Sequence, residues 1–238
     1  MKCDLCPRKC LVDRKKGEKG ICGQTENLKV ARAALHFWEE PCISGDAGSG
    51  AVFFSGCPLH CVFCQNENIA NGTVGKEISL ERLVDIFLEL QEKRANNINL
   101  VTPGHFVPQI VKALDQARKE GLTLPVVYNT SSYETVDTIK MLEGYVDIYL
   151  PDFKYMSPVL SKKYSHAPDY AEVAKAAIAE MVRQTGKAVF VNGEEDNLIL
   201  SGTIVRHLTL PGCMADSMQI LKYLHDTYGD MIYISIMN

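Results

Sequence analysis

After residue 50 the chain alternates short apolar runs with amphipathic stretches, and this alternation restricts its fold more than any other feature. The runs cover residues 51–54, 98–101, 126–128, 146–150, 203–210 and 231–236, each rich in the β-branched or aromatic residues that suit buried strands. Between them apolar residues recur at helical spacing. Leu80, Leu83, Val84, Phe87 and Leu88 form one stripe behind Ser79 as N-cap, and Ile110, Val111, Leu114 and Ala117 form another closed by Gly121. Tyr170, Val173, Ala174, Ala177, Ile178, Met181 and Val182 form a third, stopped by Gly186, and Ile220, Leu221, Leu224 and Tyr228 a fourth, stopped by Gly229. Strands joined by helical crossovers make parallel sheets. Six of them predict an α/β fold, a partial (β/α)6 TIM-type barrel, rather than a complete barrel of about eight strands. Residues 188–192 and 198–200, around the acidic turn 193–197, read as an inserted hairpin, and residues 28–38 as a strand or strap leading into the barrel.

The cysteines divide the chain. Eight of the nine fall within the first 64 residues, and Cys213 stands apart as a packed thiol. This predicts a cysteine-rich, metal-binding N-terminal segment and strap over residues 1–45 and a barrel over 46–238. The N-terminus MKCDLCPRKC lacks the apolar core of a secretion signal, and no apolar run approaches the roughly 18 residues that span a bilayer. A cytoplasmic protein is expected. In that reducing compartment clustered thiols hold metal or do chemistry more often than they form disulfides. A net charge of −4 argues against a nucleic-acid or anionic-membrane surface.

Two sets of thiols stand out. Cys57, Cys61 and Cys64 lie in one loop directly after the first barrel strand, where functional residues of such barrels collect. A four-iron cubane held by three cysteines keeps one iron free for another ligand, whereas structural zinc needs a closed shell of about four ligands. His60 in the same loop offers an alternative fourth ligand, giving a zinc knuckle. Cys3, Cys6, Cys10 and Cys22 form the second set, in a segment too poor in apolar residues to build its own core. Four such ligands fit zinc or a second 4Fe-4S cluster, with Cys42 as a substitute for one of them. Further polar residues follow the later strands: Thr102 to His105 the second, Asn129 to Ser131 the third, Asp152 and Lys154 the fourth, and Asn238 the sixth.

The stretch GSGAVFFSGCPLHCVFCQN resembles the three-cysteine motif of radical S-adenosylmethionine enzymes. Its flanks are similar to the pyruvate formate-lyase activating enzyme branch, and more narrowly to uncharacterised iron–sulfur relatives of that activase. The resemblance continues through NINLVTPGHFVPQIVKAL, VDIYLPDFKY and IVRHLTLPG and so covers nearly the whole chain. It implies an oxidoreductase in which Cys57, Cys61 and Cys64 bind a 4Fe-4S cluster whose open iron chelates S-adenosyl-L-methionine. One electron would then cleave the sulfonium to methionine and a 5′-deoxyadenosyl radical that abstracts hydrogen. By the same resemblance Phe63 lies against the adenine, and Asp152 and Lys154 contact the cofactor. The loop carrying Gly104 and His105 replaces the Gly-Gly-Glu stretch that holds the cofactor's amino group in many members. The narrower subgroup has threonine where this chain has Gly104. Asn129 and Arg206 are further candidates for the pocket.

Simpler roles compete for some of these residues. Asp152 and Lys154 would serve equally as a solvated pair, His105 as a helix cap, and Arg206 in a structural ion pair. The resemblance implies a glycyl radical enzyme as partner and flavodoxin or ferredoxin as reductant, with a small molecule or peptide as the alternative substrate. A zinc-binding interaction module without catalysis is the reading from a different class. Relatives place extra clusters after the three-cysteine loop, not before it. They also continue past the last strand, so the end at YISIMN suggests a missing C-terminal tail.

Overall fold

The computed structural model describes residues 2–191 and 198–238. After the N-terminal cysteine segment come β1 (Lys29–His36), α1 (Pro41–Ser44), β2 (Ser49–Phe54), α2 (Glu67–Ala70), β3 (Lys76–Glu77) and α3 (Leu80–Glu92). β4 (Ile98–Val101), α4 (Val107–Lys119), β5 (Val126–Thr130), α5 (Val136–Lys140), β6 (Ile148–Pro151), α6 (Pro158–Ser165) and α7 (Tyr170–Thr185) follow. The chain closes with β7 (Val189–Phe190), β8 (Ile199–Leu208), α8 (Met214–Tyr228) and β9 (Tyr233–Met237).

Six strands, β2, β4, β5, β6, β8 and β9, pair in parallel in that order, and each carries one of the apolar runs. The sheet does not close. β1 lies antiparallel on β2 at one edge, with β3 beyond it, and β9 forms the other. β7 and the start of β8 form the expected hairpin, while residues 192–197, including its acidic turn, lie outside the described residues. β8 therefore pairs with β7 along its first part and with β9 along its last. Gly202 makes the transition at φ +137°, where a Cβ would strike Ala188. No helix among the described residues is long and apolar enough to cross a membrane.

Strand periodicity decides what faces the lumen. Outward residues of β2, β4 and β5, among them Phe54, Leu100 and Tyr128, pack under α3 and α4. Inward residues divide into two levels. Val127, Ile148, Leu150 and Ile204 fill the lower lumen together with Ile43 of α1. Asn97 donates to the Ile43 carbonyl at 2.7 Å and Asn96 to that of Ser44 at 2.6 Å, so α1 is tied in as a plug. Above this layer the inward positions become polar. α3 begins as expected, with the Ser79 hydroxyl accepting from the Arg82 amide at 3.1 Å. The short α5 and α6, capped by Thr135 and Ser157, escape the periodicity argument because one or two turns show no stripe.

Candidate active site

The polar upper lumen is a cavity of about 630 Å³. Period-two alternation aims Phe53, Val101, Asn129, Asp152, Arg206 and Ser235 into it from the six parallel strands and their ends. Cys57, Cys61, Phe63 and Cys64 enter from the loop after β2, and Lys154 from the loop after β6. The structure thus gathers Phe63, Asn129, Asp152, Lys154 and Arg206 with the three cysteines.

The three-cysteine loop is shaped by tight backbone contacts. Gly56, at φ +91°, sits so close to the Cys22 carbonyl that any Cβ would collide with it. His60 occupies the left-handed region at φ +50°, and the Cys64 amide closes a turn onto the Cys61 carbonyl at 3.0 Å. Hydrogen-bond donors point at the sulfurs. The Leu59 amide approaches Cys57 Sγ at 3.5 Å, the Ser165 hydroxyl donates to Cys61 Sγ at 2.9 Å, and the Asn66 amide favours the thiolate of Cys64. Such donors suit thiolate ligands. Burial pushes the Cys57 thiol up to about 11, so iron must displace its proton on binding.

His60 is not the fourth ligand that its position suggested. Its Nε2 lies 2.8 Å from the Ile21 carbonyl and its Nδ1 3.2 Å from Asn71 Oδ1, so both nitrogens are engaged. A three-thiol set facing a charged cavity fits a cubane with one corner open to a further ligand.

A buried charge network forms the facing wall. Asp152 accepts from Lys154 Nζ at 2.6 Å and from Arg206 Nε at 3.0 Å. Arg206 also reaches Glu39 Oε1 at 2.8 Å and Asn129 Oδ1 at 2.7 Å. Asn129 and Asn99 return amide bonds to Glu39 Oε2 at 2.8 and 3.2 Å. Burial pushes the Asp152 carboxyl up, but Arg206 and Lys154 together outweigh it and hold it below the usual carboxylate range. The Asp152–Lys154 pair is therefore not a solvated one: both side chains are 17% exposed. Arg206 is indeed ion-paired, and it lines the cavity as well.

Glu39 was missed by sequence reasoning. It hides in the strap before Pro41, and its signal was indirect: an arginine inside a strand needs a buried counter-charge.

Gly104 and His105, expected from the resemblance to meet the cofactor, are not among the residues that line this cavity. The loop after β4 turns at Thr102, whose φ of +55° is rare for a β-branched residue, and it is Thr102 that lines the cavity. His105 is buried, with Nε2 2.7 Å from the Ser55 carbonyl, while its own carbonyl accepts from Arg14. Gly104 packs on the buried Glu134 carboxyl group, which would have to shift to make room for any Cβ here.

Glu134 gives a pH signature. Burial pushes its carboxyl up to about 7, although Thr130 and Tyr128 donate to it at 2.7 and 3.2 Å. The unfolded value is about 4.3, so the folded chain holds an extra proton between the two. Stability from the neutral form is complete below pH about 4.3 and is lost as pH rises to about 7. Glu134→Gln should remove this slope. In urea unfolding of the metal-free protein, its stability relative to wild type is expected to rise by on the order of 3 kcal/mol across that window and then level off. A difference flat with pH would refute the assignment. His105, held down to about 4 by burial, acts in the opposite direction and cancels in the comparison.

The second thiol set is docked against the first. Cys6 senses Cys10 and Cys22, and Cys22 senses Cys3 and Cys10, so the four are neighbours. Backbone amides again favour their sulfurs, from Arg8 to Cys6, Gln24 to Cys22 and, at 3.3 Å, Ile21 to Cys10. Among the described residues no three His, Cys, Asp or Glu side chains converge on a single-ion site. Cys42 packs at the base of the barrel with Ile43 and Val127 and is not a substitute ligand. Cys213 caps α8, with its thiol 3.6 Å from the Pro211 carbonyl.

Residues 51–198 match the model of the Radical SAM superfamily. The chain is 28% identical over 215 residues to the uncharacterised protein MJ0674 of Methanocaldococcus jannaschii, covering 88% of this chain and 57% of that one. Methylornithine synthase (PylB) superposes with a TM-score of 0.53 at 15% identity, over 76% of this chain and 50% of that one. HydG, a maturase of the [FeFe]-hydrogenase, gives 0.53 at 14% identity, over 76% and 41%. These two show a shared fold. The chain thus spans little more than half the length of its curated relative and half or less of the two structural neighbours. The matched family region runs through the three-cysteine loop, Asn129, Asp152 and Lys154, and on that match the chain belongs to the radical SAM superfamily.

Proposed function

We propose that this chain reductively cleaves S-adenosylmethionine at a 4Fe-4S cluster held by Cys57, Cys61 and Cys64, and directs the resulting radical to a hydrogen atom of a bound substrate. One observation carries the reading: three thiols and a buried carboxylate–cation network face each other across one cavity. The cluster supplies the electron and the cofactor the radical; the protein supplies orientation and dryness. Lys154 would pair with the methionyl carboxylate, Asp152 would accept from ammonium or ribose hydroxyls, and Phe63 would lie along the adenine. Backbone carbonyls near Thr102 would receive the amino group in place of Gly104 and His105.

The favoured substrate is a backbone glycine of a partner protein, as in activation of a glycyl radical enzyme. The resemblance of three further stretches to the activase branch supports this, and so does the open sheet. Arg32, His36 and Trp38 on one side and Ser235 and Met237 on the other line the cavity at the unclosed edges, where a polypeptide would enter. Flavodoxin or ferredoxin would be the electron donor, in the cytoplasm. Cys3, Cys6, Cys10 and Cys22 would hold zinc or a second 4Fe-4S cluster, and about four or eight irons per chain would separate the two.

Reduced, cluster-loaded protein should release 5′-deoxyadenosine from S-adenosylmethionine, and a candidate partner should then show a persistent glycyl radical doublet by electron paramagnetic resonance. A modified small molecule or peptide in place of the doublet would move the substrate class. Zinc at both thiol sets, without iron or sulfide, would revive a non-catalytic module.

A further inference from the structure

We infer that the Ser165 hydroxyl, oriented by Tyr155, raises the reduction potential of the cluster by donating a hydrogen bond to the sulfur of Cys61. The inference rests on the reading that Cys57, Cys61 and Cys64 hold a cluster.

Ser165 is the last residue of α6 and is fully buried. Its Oγ lies 2.9 Å from Cys61 Sγ and 2.8 Å from the hydroxyl of Tyr155, which is also fully buried. The direction of these bonds follows from valence. A thiolate ligand has no proton to give, so Ser165 donates to sulfur. The serine has one hydrogen, so its remaining lone pairs accept from Tyr155. The result is an ordered relay, Tyr155 O–H to Ser165 O–H to Cys61 Sγ, in which each bond polarises the next.

The relay is held in place from outside. Arg8, between Cys6 and Cys10, donates from Nη2 to the Ser165 carbonyl at 3.0 Å and from Nη1 to the His166 carbonyl at 2.6 Å. Its Nε donates to the Pro58 carbonyl, beside Cys57, at 2.9 Å, and its guanidinium lies over the Tyr133 ring at 5.1 Å. The Val62 amide adds a bond to the Tyr164 carbonyl at 2.9 Å. The end of α6 and the cysteine loop thus form one unit. Arg8 also offsets the partial negative charge that a helix C-terminus would otherwise direct at the cluster.

Cys61 differs from its two partners in the kind of donor it receives. Backbone amides of Leu59 and Asn66 serve Cys57 and Cys64, donors that every residue type except proline carries. The donor to Cys61 is a side chain, so here a substitution can change the bond without altering the loop. Reduction adds negative charge that spreads onto the sulfurs, so a donor there stabilises the reduced cluster more than the oxidised one. Removing it should move the midpoint to a more negative value.

The test is an anaerobic redox titration of the reconstituted full chain, with dithionite as reductant and the electron paramagnetic resonance signal of the reduced cluster as readout. Ser165→Ala should titrate at a more negative midpoint than wild type. Tyr155→Phe should shift in the same direction by less, because the serine hydroxyl remains. Ser165→Thr, which keeps a hydroxyl, should stay near wild type. If Ser165→Ala and Tyr155→Phe both titrate at the wild-type midpoint with wild-type iron and sulfide, the inference is wrong. It is equally wrong if Ser165→Thr shifts as far as Ser165→Ala, since packing would then explain both. Should Ser165→Ala fail to load a cluster, Tyr155→Phe decides by the same criterion. Iron and sulfide counts on wild type come first: a wild-type chain without a cluster refutes the underlying reading, whereas a loaded wild type with unshifted variants refutes this role alone.

Discussion

Cys61→Ala should reduce 5′-deoxyadenosine release by more than the roughly 10–100-fold that loss of a supporting residue around a metal costs, while leaving the far-ultraviolet circular dichroism of the metal-free protein unchanged. The two halves of this expectation have separate causes. Cys61 is a direct ligand in the proposed cluster, and with only two thiolates left the loop retains too few bonds to hold four irons. The fold, by contrast, rests on the strand and helix core. Leu59, fully buried in the same loop, packs with Phe153, Tyr155 and Tyr170 whether or not iron is present. Cys57→Ala and Cys64→Ala should behave alike, and Cys213→Ala should match wild type in release. Equal activity of Cys61→Ala and wild type, both iron-loaded, would remove the three-thiolate site from the account.

The second large effect is one of stability. Arg206 bonds Asp152, Glu39 and Asn129 from inside the lumen, and removing one partner of a buried pair typically costs about 3–5 kcal/mol because the other charge is left uncompensated. Arg206→Met should therefore lower the unfolding free energy of the metal-free protein by about that amount, a large part of the roughly 5–15 kcal/mol available to a domain. Glu39 would suffer most, since Asp152 retains Lys154. Neutralising it as well, in Glu39→Gln/Arg206→Met, should return part of the loss, and the non-additivity of the two changes measures their coupling. Additive losses, or a change under about 1 kcal/mol for Arg206→Met, would mean that the network does not hold the strap and plug in place.

Why some of this was readable in sequence, and some not, follows from the range of the interactions. The parallel strands β2, β4, β5, β6, β8 and β9 were legible because burial on both faces imposes local apolar runs. The lumen residues Asn129, Asp152 and Arg206 were legible because they sit at the ends of those runs or carry a motif. Glu39 was not, since its partner Arg206 lies 167 residues away and only the folded strap brings them together. That Gly104 and His105 stand back from the cavity was not legible for a related reason. Left-handed Thr102 redirects the chain, and Arg14 from the N-terminal segment draws His105 beneath it. Spacing showed that Cys3, Cys6, Cys10 and Cys22 belong together, but not that Arg8 and His60 fasten them to the three-cysteine loop.

The central claim is a cluster with one iron open to the cofactor, and the most direct measurement is the electron paramagnetic resonance spectrum of the reduced, reconstituted protein before and after S-adenosylmethionine is added. Direct coordination predicts a changed spectrum, with the change absent when methionine is omitted from the molecule and adenosine alone is supplied. An intact cubane whose spectrum is identical with and without S-adenosylmethionine would contradict it.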